Sequence, residues 1–201
     1  MKPRFIGDGA LLVELDDPAQ ARALRRALLQ GSLAGVKELI PGQSSLLIVA
    51  NPLVTDLEAL AVRLPVVDAE PVAAVRTHEF DVVYDGEDLP ALARQLQMEI
   101  EEVIRRHTAP LYEVAFLGFV PGFPYLTGLD PTLRVARRSK PRTRVPAGSV
   151  AMADGYTGMY PQATPGGWHI LGRCEARLFD ANRADPALLA PGDRVRFRAL
   201  P

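Results

Sequence analysis

Pro110-Leu111-Tyr112-Glu113-Val114-Ala115-Phe116-Leu117-Gly118-Phe119-Val120-Pro121-Gly122-Phe123-Pro124-Tyr125-Leu126 sets short β-prone runs between glycines and prolines. The same texture continues downstream, and no helical period returns until Pro186 to Leu189, which reads as a short helix. Many short strands with Gly/Pro turns point to a closed β-barrel, because closure removes the strand edges that would otherwise pair with other chains.

Working outward from this stretch, Phe80 to Tyr84 reads as a strand and Asp85-Gly86-Glu87-Asp88 as a turn. Pro90 then opens a helical pattern in which Leu92, Leu96, Ile100, Val103 and Ile104 recur on one face, across two consecutive helices. Nearer the start, Ala10 to Leu15 reads as a strand, and Pro18 begins an amphipathic helix whose apolar face carries Ala21, Leu24 and Leu28. Val36 to Ile40 and Leu46 to Ala50 are two further strands joined by Pro41-Gly42-Gln43, and Asp56 to Arg63 is a second helix. Leu64 to Val75 holds Pro65 and Pro71 and shows no periodicity, which is linker composition. The expectation is therefore an α+β chain: a small α/β sandwich over residues 1–65, a linker over 66–76 and a barrel domain over 77–201.

Bulk properties exclude several function classes. At 201 residues, 48% apolar and 23% charged, the chain can bury a core. Its net charge of -1 gives no basic stripe for nucleic acid. No apolar run approaches the roughly 18 to 20 residues that cross a bilayer. Met1-Lys2-Pro3-Arg4 is basic, but Gly7-Asp8-Gly9 interrupts any secretory core, so a cytoplasmic location is expected. A single cysteine, Cys174, agrees with a reducing compartment and reads as a small buried residue rather than a nucleophile.

The familiar catalytic signatures are missing: no GxxxxGK[ST] loop, dinucleotide fingerprint, GxSxG elbow or HExxH occurs. His78, His107 and His169 lack ligand-like spacing, so no metal is expected and each histidine reads as structural or superficial. Candidate site residues fall between Gly118 and Arg173. Phe119, Phe123 and Tyr125 lie among backbone-fixing glycines and prolines and offer flat apolar surface to a small ligand or partner peptide, although the same rings could simply fill the barrel. In Lys140 to Val150, alternation puts Arg142 and Arg144 on one face of an extended strand, where two guanidinium forks can clamp a carboxylate or phosphate; a solvated edge strand is the other reading. Pro165-Gly166-Gly167 reads as a tight turn whose free N–H groups could receive an oxyanion, or as an ordinary hairpin turn with Trp168 anchored in the core.

Three words, GFVPGFPYL from Gly118, PRTRVPAGSV from Pro141, and TGMYP from Thr157 with PGGWHILGR from Pro165, carry a strong resemblance. With YDGEDL at Tyr84 and the EEVIRRH run they resemble, over most of the chain, the family of the 5-oxoprolinase B-subunit (PxpB), the sporulation-kinase inhibitor KipI and allophanate hydrolase subunit 1 (carboxyltransferase domain, subdomains C and D). The resemblance implies an N-terminal α/β unit and a cyclophilin-like C-terminal barrel. It also implies a larger partner of the allophanate hydrolase subunit 2 type, with a third subunit in bacterial 5-oxoprolinase, and ATP-dependent opening of 5-oxoproline to glutamate. ATP would be supplied to the complex, its site not identifiable in this chain, and the chain alone is expected to be inactive.

On that basis Arg142 and Arg144 are the catalytic candidates. Phe119, Phe123, Tyr125, Pro146, Ser149, Tyr160, Gly166, Gly167, Trp168 and Arg173 are the substrate-binding candidates. Two positions depart from the family pattern: Tyr156 replaces a common glutamine and Cys174 follows Gly172-Arg173 where threonine is common. A small cyclic or linear amide is the expected substrate; a KipI-like grip on a histidine kinase is the alternative. Prolyl isomerisation is set aside, because a shared barrel does not carry chemistry. Phe119, Phe123 and Trp168 together would form an exposed apolar patch, from which association of some kind is expected.

Overall fold

The computed structural model describes residues 1–31, 33–67 and 76–201. The chain divides into two compact units, Met1–Ala73 and Ala74–Pro201. Residues 68–75, most of the expected linker, lie outside the described residues.

In the first unit, β1 (Lys2–Ile6), β2 (Ala10–Glu14), β3 (Val36–Pro41) and β4 (Ser45–Ala50) form a four-stranded antiparallel sheet in the order β1-β2-β4-β3. Strand alternation turns Leu11, Val13, Leu46 and Ile48 into one core with Leu24 and Leu28 of helix α1 (Pro18–Gln30). Asp17 caps α1 by accepting the Gln20 N–H at 2.8 Å, and Pro18 occupies the first turn, where its missing N–H is harmless. Helix α2 (Leu57–Val62) starts the same way, with Asp56 accepting the Ala59 N–H at 2.9 Å. Strand β1 escaped the sequence reading because all five of its residues are exposed and no alternation marks it.

The second unit is a closed seven-stranded barrel in the order β10-β7-β6-β13-β5-β12-β9. Its strands are β5 (Thr77–Val83), β6 (Tyr112–Leu117), β7 (Pro124–Thr127), β9 (Ser149–Ala153), β10 (Tyr156–Met159), β12 (His169–Arg173) and β13 (Arg194–Leu200). The first and last strands of the unit, β5 and β13, pair in parallel from Arg194↔Thr77 to Leu200↔Val83. Outside the barrel, β8 (Arg142–Val145) and β11 (Thr164–Gly166) form a two-stranded ribbon. The segment Pro186 to Leu189 is not a helix: Ala187 bridges Phe179 and the Leu188 N–H donates to the Leu178 carbonyl, so extended pairing takes precedence over the local pattern.

The barrel wall is buried on both faces at β9. Along β9, Val150 and Met152 join the barrel interior with Tyr112, Leu126 and Phe197, while Ala151 and Ala153 face a second cluster of Phe123, Tyr160 and Trp168. Small alanines there leave room for large rings outside the wall. Helices α3 (Leu89–Leu96) and α4 (Ile100–Thr108) supply Leu92, Ala93 and Val103 to the interior. His107 of α4 is fully buried and completely hydrogen-bonded. The Tyr84 hydroxyl donates to its Nδ1 (2.7 Å), and its Nε2 donates to Thr157 Oγ1 (2.8 Å), whose own proton goes to the Ala151 carbonyl (3.0 Å). Burial lowers the His107 pKa to about 3, so the ring is neutral.

Candidate functional site

The site is built where the turn before α3 crosses β12. A Cβ on Gly86 would run into the backbone of Ile170 and Leu171, and one on Gly172 into the Val83 carbonyl, so glycine at both positions permits the close crossing. The Gly86 N–H donates to the Leu171 carbonyl at 3.0 Å and the Asp88 N–H to the Ile170 carbonyl at 3.3 Å. This places Asp88, only 4% exposed, against β12.

Asp88 stands at the N-cap of α3 yet makes no side-chain cap bond. Its carboxylate turns outward from the helix: Oδ1 accepts Arg138 Nη1 at 2.5 Å and Arg142 Nη2 at 2.7 Å, and Oδ2 accepts the Ile170 N–H at 2.8 Å. Burial alone would raise the Asp88 pKa. The Arg142 hydrogen bond, the Ile170 N–H and the charges of Arg142 and Arg138 outweigh it and hold the carboxyl below its ordinary value. Arg142 also reaches Glu87 through Nε at 2.6 Å. Arg138 Nε and Arg142 Nη1 are enclosed without an acceptor among the described residues. An unmet buried donor costs about 1–3 kcal/mol, so this arrangement is not relaxed toward stability alone.

Beside Asp88, a cavity of about 450 Å³ opens between α3, which contributes Ala91, Leu92 and Gln95, and the segment Ala136 to Lys140, with His169 at its wall. Lys140 is exposed and makes no ion pair among the described residues. Arg137 is held by Asp154 at 2.8 Å. His169 Nε2 donates to the Ala136 carbonyl at 3.0 Å.

The structure separates the residues expected from the sequence. Phe123, Tyr125, Tyr160 and Trp168 do meet: Phe123 lies edge-on to Tyr160 (5.1 Å) and Trp168 (5.3 Å), and Tyr125 edge-on to Trp168 (5.6 Å). However, Phe123, Tyr160 and Trp168 are 1%, 1% and 5% exposed. The expected apolar patch of Phe119, Phe123 and Trp168 is therefore corrected, because two of its three rings are core. Only Phe119 is exposed, at 57%, with its ring edge-on to Phe123. Phe119 has φ 66° and closes a γ-turn in which the Val120 N–H donates to the Gly118 carbonyl at 2.7 Å, a costly backbone state for a non-glycine residue.

The turn expected at Pro165-Gly166-Gly167 is also corrected. Thr164–Gly166 is strand β11, with Gly166 opposite Arg142, and the space a Gly166 Cβ would need holds the Tyr160 hydroxyl. The Gly167 carbonyl accepts the Arg138 N–H at 2.8 Å, which ties the PGG word to the cationic segment. Arg142 and Arg144 share β8, but only Arg142 enters the Asp88 cluster; Arg144 is exposed and unpaired among the described residues. Pro146 is exposed, Ser149 is buried and Arg173 pairs with Asp85 at 2.8 Å.

Of the two departures, Tyr156 packs edge-on against Tyr125 (5.6 Å), and Cys174 is buried in the barrel core with its thiol pKa raised by burial. Sequence reasoning passes over Asp88, Arg138, Lys140 and His169. Asp88 reads only as the end of a turn, and nothing local shows that its oxygens serve Arg138, Arg142 and the Ile170 N–H.

Among the described residues no group of three or more His, Cys, Asp or Glu side chains is placed to hold a metal, and no helix is long and apolar enough to cross a membrane.

Fold and site together define an α+β protein of two units whose second unit is a closed barrel bearing a buried carboxylate bridged by two arginines. The family model described as carboxyltransferase domain, subdomain C and D, matches residues 1–189, and the chain belongs to that family. It is 41% identical over 204 residues to the 5-oxoprolinase B-subunit of Escherichia coli O157:H7, covering 96% of this chain and 93% of that one. It is 38% identical to the 5-oxoprolinase B-subunit of Haemophilus influenzae, with 96% and 94% covered. Among solved structures, TTHA0988 superposes with TM-score 0.82 at 38% identity, covering 96% of this chain but only 40% of that one. PH0987 from Pyrococcus horikoshii gives TM-score 0.60 at 34% identity, with 99% and 97% covered. Kluyveromyces lactis urea carboxylase, at 20% identity and TM-score 0.74 over 99% of this chain and 22% of that one, shares the fold.

Proposed function

We propose that this chain is the B-subunit of an ATP-dependent 5-oxoprolinase. Its identity of 41% with the Escherichia coli O157:H7 B-subunit, across nearly the whole of both chains, carries the proposal. The chemistry asks for several subunits. A lactam is a stable amide, and activating its oxygen by phosphorylation supplies a better electrophile for water. The sequence has no phosphate-cradling GxxxxGK[ST] loop, so the ATP-using step is assigned to partners: a larger subunit of the allophanate hydrolase subunit 2 type, and a third subunit. The share of this chain is to hold the substrate with the arginine-bearing face beside Asp88, where guanidinium groups suit a carboxylate and developing negative charge. On this reading the chain works inside the cell and is inactive alone.

The test is ATP-dependent glutamate release from 5-oxoproline by the chain co-expressed with its larger subunits, against the same mixture without it. Loss of turnover on omission is expected. Undiminished turnover overturns the assignment and shifts weight to a regulatory role such as kinase inhibition.

A further inference from the structure

We propose that the cavity between α3 and the Ala136–Lys140 segment is a binding site for the oxyanion group of a small metabolite, a carboxylate or a phosphate, with Lys140 and Arg138 as its charge contacts. At about 450 Å³ the cavity falls within the roughly 300–1,000 Å³ of small-molecule sites. Its lining is cationic in effect. The one acid there, Asp88, has both oxygens engaged by Arg138, Arg142 and the Ile170 N–H, so it has little left to offer a cationic ligand. Against it stand Lys140, exposed and with no ion pair among the described residues, and Arg138, which lines the cavity and keeps one N–H without an acceptor. Asp88 and Glu87 together balance Arg138 and Arg142, and Asp154 balances Arg137, so Lys140 is the unbalanced positive charge at the cavity wall. His169 and Gln95 provide polar groups at the wall for the rest of the ligand.

Arg138 is fixed twice, by its side chain on Asp88 and by its backbone N–H on the Gly167 carbonyl, so the cation is held in place before a ligand arrives. The sequence points to Arg142 and Arg144 as the anion contacts; the cavity moves that role to Arg138 and Lys140. The choice of 5-oxoproline as the carboxylate probe rests on the function proposed above, whereas the cavity and its charges do not.

The test is isothermal titration of the full chain with 5-oxoproline and, separately, with inorganic phosphate. Saturable one-site binding of one of them is expected, and which one identifies the oxyanion. Lys140→Glu, at an exposed position, is expected to weaken that binding at least tenfold, while Lys37→Glu on β3 of the first unit leaves it unchanged. Arg138→Lys, which keeps the charge but loses the fork, is expected to weaken it by an intermediate factor. Failure of both probes to bind at about 10 mM, or equal weakening by Lys140→Glu and Lys37→Glu, overturns the proposal. Titration needs neither ATP nor partner subunits, so a failed turnover assay leaves the pocket standing and an empty pocket leaves the subunit assignment standing.

Discussion

Replacing Asp88 by asparagine isolates the energetic role of the carboxylate that two arginines share. The amide keeps one oxygen to accept the Ile170 N–H but removes the charge between Arg138 and Arg142. Breaking a fully buried pair costs about 3–5 kcal/mol. Here the Arg142 side chain is 16% exposed and that of Arg138 34%, so water recovers part of the loss and the expected destabilisation is about 2–3 kcal/mol. Asp88→Ala also orphans the Ile170 N–H and should cost about 1–3 kcal/mol more. Urea unfolding reports this directly, because Trp168 is the only tryptophan and is buried against Phe123 in the barrel unit. In an Arg142→Gln background the Asp88→Asn cost should shrink by at least about 1 kcal/mol, since the two residues share a bond. A single-variant loss under about 1 kcal/mol, or a coupling within about 0.5 kcal/mol of zero, would refute the view that this cluster pins the loop to β12.

Two further outcomes are expected. His107 titrates near pH 6.5 when unfolded and near 3 when folded, so below pH 6.5 the unfolded state binds the extra proton and stability falls as pH falls. From pH 6 to pH 5 the loss should be about 1.2 kcal/mol, with most carboxylates of the unfolded chain still ionised there; a flat urea midpoint over that interval would show that the ring is not held neutral. Gly86→Ala pushes a Cβ into the backbone of Ile170 and Leu171 and should cost at least about 2 kcal/mol; circular dichroism melting that moves by less than about 2 °C would mean the crossing is looser than described.

Periodicity and turn chemistry were enough to read the helices α1 to α4, the strands with one buried face and the change to all-β texture after Pro110, because those signals are local. Leu46 to Ala50 is a strand in both readings, and Pro18 begins a helix in both. Strand β1 left no trace, since a strand exposed throughout has no alternation to read, and Pro186 to Leu189 misled, since four residues cannot establish a period. The three long words announced a family but not which of their residues face outward. Phe123 and Trp168 look the same in sequence whether they coat a ligand or fill the space outside a barrel wall, and the alanines of β9 that make room for them lie well away from either along the chain. The site depends still more on tertiary structure. Asp88, Arg138, Arg142 and Ile170 are spread over 82 residues of chain and meet only because the barrel closes and two glycines let its backbone segments touch, a condition of three-dimensional packing that no short stretch of sequence encodes.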